Sequence, residues 1–360
     1  MIGTPRRTLA SLLIALLALA LAGCEESAPQ AGGPQRFGGY TMGTTYSVQI
    51  AMGIDAAELA TLERGVSELL TRLDKDIFST YEPRSELSQL NAAPVGEPVV
   101  VSVELFDVLR ASEQIFLESG GAFDPTVGPL VELWGFGPGG DGRASRVPSS
   151  EEVEQTVTRV NFSEVALDAS TRRVTRRSEV SIDLSAIAKG YGVDAVADLL
   201  VASGVENYFV EVGGELRIAG HKDETRRGWV PAIESPVEGD SRIHEIFFSR
   251  GESLAVAGSG DYRNYFEAEG RRYSHEIDPR TGRPIEHQLA AVYVVDETAM
   301  RADALATAYM IMGERSALAA ASSASQAAYF IVRSGSDEQG KVVFESLRTE
   351  AFARLLEDDR

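Results

Sequence analysis

Two alternating runs, EVALD and RVTRRS, are separated by only the four residues ASTR. So short a connection closes a hairpin and leaves no room for the crossover that parallel neighbours need. In NYFVEVGGELRIAG a second alternating pair is interrupted at Gly213-Gly214, where a bend or bulge is expected. Between such runs lie segments of helical period: AAELATLERGVSELLTRLDKDI (56–77), SVELFDVLRASEQIFLESGGAF (102–123) and AIAKGYGVDAVADLLVASG (186–204). SSEEVEQTVTRV opens with an N-cap serine and acids in its first turn. TTYSVQIAM (44–52), GWVPAIESP, AAVYVVD (290–296) and AAYFIV (327–332) read as strands, and RADALATAYMIMG (301–313) opens a helix that an Ala-rich one follows. Hairpins mixed with helices predict an α+β domain with mixed and antiparallel sheets, rather than a doubly wound parallel sheet.

The N-terminus stands apart from this pattern. Arg6 and Arg7 precede LASLLIALLALALAG and then Cys24, the one cysteine of the 360 residues. The run is about 14 strongly apolar residues, shorter than the ~20 of a spanning helix, and reads as a secretory signal. Leu21-Ala22-Gly23-Cys24 resembles the bacterial lipobox, which implies cleavage before Cys24 and its acylation; the other reading is a plain signal with an incidental cysteine. The expected organisation is a signal over 1–23, a flexible tether over 24–37 (EESAPQAGGPQRF is polar and rich in Gly and Pro) and one domain over 38–360. The Gly-rich stretch 135–150 reads as a long loop within that domain. An exported chain with one cysteine has no internal disulfide and must rely on its core. The net charge of −20 makes the chain a poor nucleic-acid binder and gives no polybasic attraction to anionic lipid, so acyl chains would be the membrane anchor.

Three stretches carry polar atoms in telling places. Asp303 and Thr307 stand one helical turn apart among Ala302, Ala304, Leu305, Ala306 and Ala308. A carboxylate and a hydroxyl so placed suit a hard cation such as Mg²⁺. The same residues are also compatible with an N-cap Asp and a Thr bonded to its own preceding turn. In SIDLSAIAKGYGVDAVADLL a strand-like run meets a helix whose first turns hold small residues and Lys189. That junction is either a phosphate cradle or an ordinary amphipathic helix with a surface lysine. Gly190 and Gly192 would admit a close neighbour. In RRYSHEIDPRTGRPI the turn Asp278–Gly282 follows His275, which is placed as a general base or as a structural histidine. Met42, Tyr81, Asp124 and the aromatic Gly-rich loop after it are turn or core residues, or walls around a planar ring.

Taken in order, MGTTYS, STYEPRSELSQLN, FDPTVGPLVELWGFG, DLSAIAKGYGVD, VEVGGELRIAG, VAGSGDYRNYF, SHEIDPRTGRP and ADALATA resemble the ApbE family of FAD:protein FMN transferases. The likeness runs from about Tyr40 to Phe330. It implies a single α+β domain related to the T-fold, and Mg²⁺-dependent transfer of FMN from FAD to a threonine hydroxyl with release of AMP. It further implies Asp303, Thr307 and the Ala186 carbonyl as metal ligands, and Asp183 and Lys189 as FAD contacts. Met42 and Tyr81 would pack on the flavin or adenine. Ala122, Phe123, Asp124 and Ile277 would line the nucleotide cleft, with His275 as the catalytic base.

By the same resemblance the partner is an exported acceptor carrying a short threonine flavinylation motif, such as a flavoprotein subunit of a redox complex. The location is the bacterial cell envelope, lipid-anchored at Cys24 and facing the periplasm, with the inner membrane favoured. Two rival readings share the site: an FAD pyrophosphatase in which water replaces threonine, and a flavin-binding lipoprotein without chemistry. The second would need neither His275 nor the metal pair.

Overall fold

A computed structural model describes residues 33–51, 53–137, 146–223, 225–237, 242–262, 264–268 and 270–357. The expected signal and Cys24 lie outside the described residues, as do 138–145 of the Gly-rich loop. The first strand already begins at Gln35, so the last residues assigned to the tether belong to the fold.

The fold is α+β, as the hairpins predict. Its frame is an eight-stranded sheet of β1 (Gln35–Thr41), β2 (Thr44–Ile50), β3 (Tyr208–Val212), β4 (Glu215–Ala219), β5 (Leu254–Gly260), β6 (Leu289–Asp296), β7 (Ala327–Ser336) and β8 (Val342–Arg348). Spatial order follows chain order, and every neighbouring pair is antiparallel. EVALD and RVTRRS form the expected hairpin in a separate small sheet, with Val165 opposite Arg176.

Four helices matter for the site: α1 (Ala56–Arg72), α2 (Val103–Glu118), α3 (Ala188–Ala202) and α4 (Ala299–Ser323). Val193, Val196 and Leu200 of α3 pack with Val66 and Leu70 of α1 on Val48, Val210 and Val212 of the sheet. Along β6 the alternation splits the strand between two cores. Val292 and Val294 meet Ala302 and Leu305 of α4, while Ala291 and Val295 meet Phe247, Tyr329 and Phe352 on the other face. Burial on both faces is why this strand reads as a continuous apolar run. Each fully buried Val, Leu or Ile contributes about 1.5–3 kcal/mol, so a core this extensive stands in for the missing disulfide.

Gly213-Gly214 is a two-residue hairpin turn between β3 and β4, not a bulge: Val212 pairs with Glu215, and both glycines have positive φ (64° and 109°). At Gly313 (φ 76°, ψ 163°) α4 breaks, so RADALATAYMIMG and the Ala-rich segment are two helical pieces end to end.

Candidate active site

Helices α3 and α4 are locked together where the site residues lie. A Cβ on Gly190 would stand 2.3 Å from the Ala299 carbonyl oxygen, so only glycine permits this approach. Asp194 of α3 accepts the Ala299 and Met300 N–H groups at 3.0 and 2.9 Å, and Thr298 accepts from Arg301 N–H at 3.3 Å. The start of α4 is thereby capped from two sides. Thr298 is the cap, which removes the capping alternative for Asp303: that residue sits in the second turn, buried.

The Asp303 carboxylate points back at α3. Its Oδ2 accepts the Gly190 N–H at 3.0 Å and faces the Lys189 ammonium at 3.6 Å. The same ammonium lies 3.6 Å from Glu215 Oε1 and donates to the Ser185 carbonyl at 3.1 Å. Lys189 is therefore no surface lysine; it is held between two buried carboxylates. Burial opposes its charge, but Asp303 and Glu215 outweigh this and hold it protonated well above the ordinary range. Burial pushes both carboxyls upward, only partly offset by Lys189. Oε2 of Glu215 is buried with no hydrogen-bond partner.

Thr307, one turn on, meets Ser259 of β5 with its hydroxyl at 3.4 Å. In an uninterrupted helix the Gly190 N–H would return to the Ala186 carbonyl. Here it goes to Asp303, and among the described residues no hydrogen bond to the Ala186 carbonyl is seen. A freed carbonyl, a buried carboxylate and a hydroxyl are all oxygen donors, and with one carboxylate they fit a water-rich Mg²⁺ shell. Among the described residues no group of three or more His, Cys, Asp or Glu is placed to hold an ion. Oxygen donors without nitrogen or sulfur are the chemistry of a hard cation.

These groups open into a cleft of about 1720 Å³, which also collects Tyr81, Ala122, Phe123, Asp124, Asp183, Ala186, His275 and Ile277. Eight Asp and Glu residues line it, against Lys189 and Arg159. His275 falls between the short strands Arg271–Ser274 and Ile277–Asp278. Its Nδ1 lies 2.9 Å from the Asn264 carbonyl, an acceptor only, which fixes the proton on Nδ1. That leaves Nε2 as the basic nitrogen, 3.6 Å from Glu276 Oε1. Burial pushes Glu276 upward. The following turn is rigid: Asp278 binds Arg280 through Nε and Nη2, and Trp134 Nε1 donates to Gly282 at 2.8 Å.

Other expected residues take different parts. Tyr81 is 69 % exposed at the rim, an aromatic face open to a ring. Partial burial, with Asp183 and Glu132 near, pushes its phenol up. The Asp124 carboxylate is turned inward: it accepts from Thr126 N and Oγ1 at 2.7 and 2.6 Å and from Phe162 N at 3.1 Å. It shapes the cleft wall rather than offering a free charge. Asp183 binds the N–H and hydroxyl of Ser185, bracing the junction before α3. Met42 is not among the lining residues; its methyl faces Gly192, where a Cβ would stand 3.4 Å away. Sequence reasoning passed over Glu215, Ser259, Asn264 and Glu276. For Glu215 a signal existed: a carboxylate directly behind a Gly-Gly turn, at an inward position of an alternating strand.

Residues 42–331 match the ApbE family. The chain belongs to the ApbE family. A Vibrio cholerae protein named FAD:protein FMN transferase is 42 % identical over 311 residues, covering 86 % of this chain and 90 % of its own length. One of the same name from Haemophilus influenzae is 35 % identical and spans 98 % of this chain and 99 % of its own. Among solved structures, the flavin transferase ApbE of V. cholerae superposes with a TM-score of 0.78 at 36 % identity, covering 90 % of this chain and all of its own. The Pseudomonas stutzeri flavinyl transferase ApbE, in apo form, gives 0.78 at 39 % identity, covering 91 % and 98 %. A TM-score of 0.78 over nine-tenths of the chain places the ApbE family fold on the same α+β frame.

Proposed function

We propose that the protein transfers FMN from FAD to a threonine hydroxyl of an exported acceptor protein, with Mg²⁺ as cofactor and AMP as the released product. The names of its relatives support flavin transfer, and the cleft supports the chemistry. The observation that carries the reading is the convergence of Asp303, Thr307, Lys189 and His275, from three distant stretches of sequence, on one cleft. The cleft is larger than the ~300–1,000 Å³ of ordinary small-molecule pockets, as an extended dinucleotide requires. Its acidic lining disfavours a bare pyrophosphate, which makes a bound divalent cation the natural complement.

Asp303, Thr307 and the Ala186 carbonyl would hold the ion. When bound, Mg²⁺ would supply Lewis acidity and charge neutralisation at the pyrophosphate. Lys189 and the N–H groups at the start of α3 add positive potential beside it. The threonine oxygen attacks the phosphorus on the FMN side. A new phosphorus–oxygen bond forms, the bond to the bridging oxygen breaks, and AMP leaves with that oxygen. His275, with Nδ1 held by the Asn264 carbonyl, takes the hydroxyl proton at Nε2. Tyr81 offers the flavin or adenine a stacking face at the rim.

The N-terminal segment supports a lipid anchor at Cys24 and a periplasm-facing location, with two or more acyl chains giving stable attachment. Among the described residues no helix is long and apolar enough to cross a bilayer. The reading is tested by chromatography of AMP from FAD, with and without acceptor and EDTA. Release that needs both Mg²⁺ and acceptor supports transfer. Equal release without acceptor would make the protein a pyrophosphatase, and no release in any condition would leave a flavin binder.

A further inference from the structure

Glu215 has no part in the chemistry above, yet it is 3 % exposed within the cleft and its Oε2 has no partner. A buried unpartnered carboxylate oxygen is costly, and its persistence asks for a use. Lys189 stands 3.6 Å from Glu215 Oε1 and 3.6 Å from Asp303 Oδ2, so one ammonium is shared by two carboxylates.

We propose that Glu215 is a positioning residue whose free oxygen receives the Lys189 ammonium when a divalent cation takes Asp303. The proposal rests on the cation reading given above. A Mg²⁺ ion binds oxygen at about 2.0–2.1 Å. Such an ion and an ammonium on the same small carboxylate would repel strongly at short range. The ammonium must then leave Asp303, and it needs another anionic acceptor. Glu215 Oε2 is that acceptor, on the same carboxylate whose Oε1 already faces the ammonium at 3.6 Å. A Cβ on Gly213 would stand 2.8 Å from Thr44 Cγ2, 3.2 Å from Lys189 Cδ and 3.4 Å from Glu215 Oε2, so the space that this glycine leaves is bordered by the Thr44 methyl, the lysine stem and the orphan oxygen. The φ of +64° at Gly213 keeps that space free of a side chain.

The exchange changes the charge that a substrate meets. Without the cation, two carboxyl groups share one ammonium, and with both ionised the spot is acidic. With it, Asp303 holds the ion and Glu215 pairs with Lys189 alone, and the spot is positive toward a pyrophosphate. Glu215 thus keeps Lys189 from competing with the cation, and keeps the lysine near the phosphates afterwards.

The test is calorimetric titration of Mg²⁺ into the wild type, Asp303→Asn and Glu215→Gln, with wild-type crystal structures determined with and without Mg²⁺. The expected results are binding lost in Asp303→Asn and weakened about tenfold in Glu215→Gln, where Asp303 is the one carboxylate left facing Lys189. In the loaded crystal Lys189 Nζ should lie within hydrogen-bond distance of Glu215 and away from Asp303. Wild-type affinity in Glu215→Gln, or Lys189 unmoved in the loaded crystal, overturns the proposal while leaving the cation site standing. Mg²⁺ binding that is absent, or unaffected by Asp303→Asn, overturns the cation reading and this proposal with it. Should Glu215→Gln fail to fold, the two wild-type crystal structures decide alone.

Discussion

Replacing Asp303 by asparagine should separate stability from function, and the local geometry gives the sizes. Unit charges at 3.6 Å attract by about 4–5 kcal/mol at an effective dielectric of ~20. Two effects oppose that gain: Asp303 is buried, and it repels Glu215 across the shared lysine. Asparagine removes the attraction and both penalties together. Its side-chain oxygen still accepts the Gly190 N–H, and Lys189 keeps Glu215. The net change in stability should therefore be within about 1 kcal/mol. Alanine is different, because it strands the buried Gly190 N–H and should cost about 1–3 kcal/mol. Turnover should fall in both variants by at least about 10²-fold, since a bound Lewis acid is worth several kcal/mol of barrier. The assays are urea denaturation for stability and AMP release against Mg²⁺ concentration for function. Asparagine as destabilising as alanine, or turnover within about tenfold of wild type, would refute the reasoning.

His275→Asn should bind FAD nearly as the wild type does and lose about 10²–10⁴ in transfer rate, measured in single turnovers; equal losses of affinity and rate would make it a binding residue. Gly190→Ala drives a Cβ into the Ala299 carbonyl, so stability should fall by about 1–3 kcal/mol and Mg²⁺ affinity with it, and an unchanged melting curve would contradict the packing. Burial raises Glu215 and Asp303, so the native state holds protons that the unfolded chain has released. Their contribution to stability is fully present below the ordinary carboxylate range and is lost as pH rises toward the raised values. Glu215→Gln should therefore flatten the decline in stability above about pH 5, read from melts across pH. On the proposed lipid anchor, Cys24→Ala should leave a soluble or unprocessed exported protein with the isolated domain's chemistry unchanged, and a wild type found in the soluble periplasmic fraction would contradict the anchor.

What the sequence made legible follows from which interactions are local. The hairpin at ASTR, the helix carrying Asp303 and Thr307 and the Gly-Gly turn are local matters of period and turn chemistry, and they stand where expected. Gly213-Gly214 differed only in kind: the period-2 pattern of ELRIA does not say whether a strand bends or reverses until Val212 is seen opposite Glu215. The resemblance brought Asp303, Lys189 and His275 to one site, and the cleft does collect them. Spacing alone did not hold that information, because Gly190 meets Ala299 across more than a hundred residues. Glu215 was missed for the same reason, since its meaning comes from a lysine on another element. Asp124 shows the reverse case. The resemblance puts it in the cleft wall, and its carboxylate is turned into Thr126 and Phe162, which only the folded loop shows.

The central claim is transfer of FMN to a protein, and intact-mass spectrometry of the acceptor tests it most directly. The lipid-free domain would be incubated with FAD, Mg²⁺ and an acceptor carrying one threonine motif, beside the same acceptor with that threonine changed to alanine. The account predicts that the threonine acceptor gains the mass of one FMN residue, AMP appears in equal amount, and the alanine acceptor gains nothing. An acceptor of unchanged mass, while FAD is converted to free FMN and AMP, would contradict it.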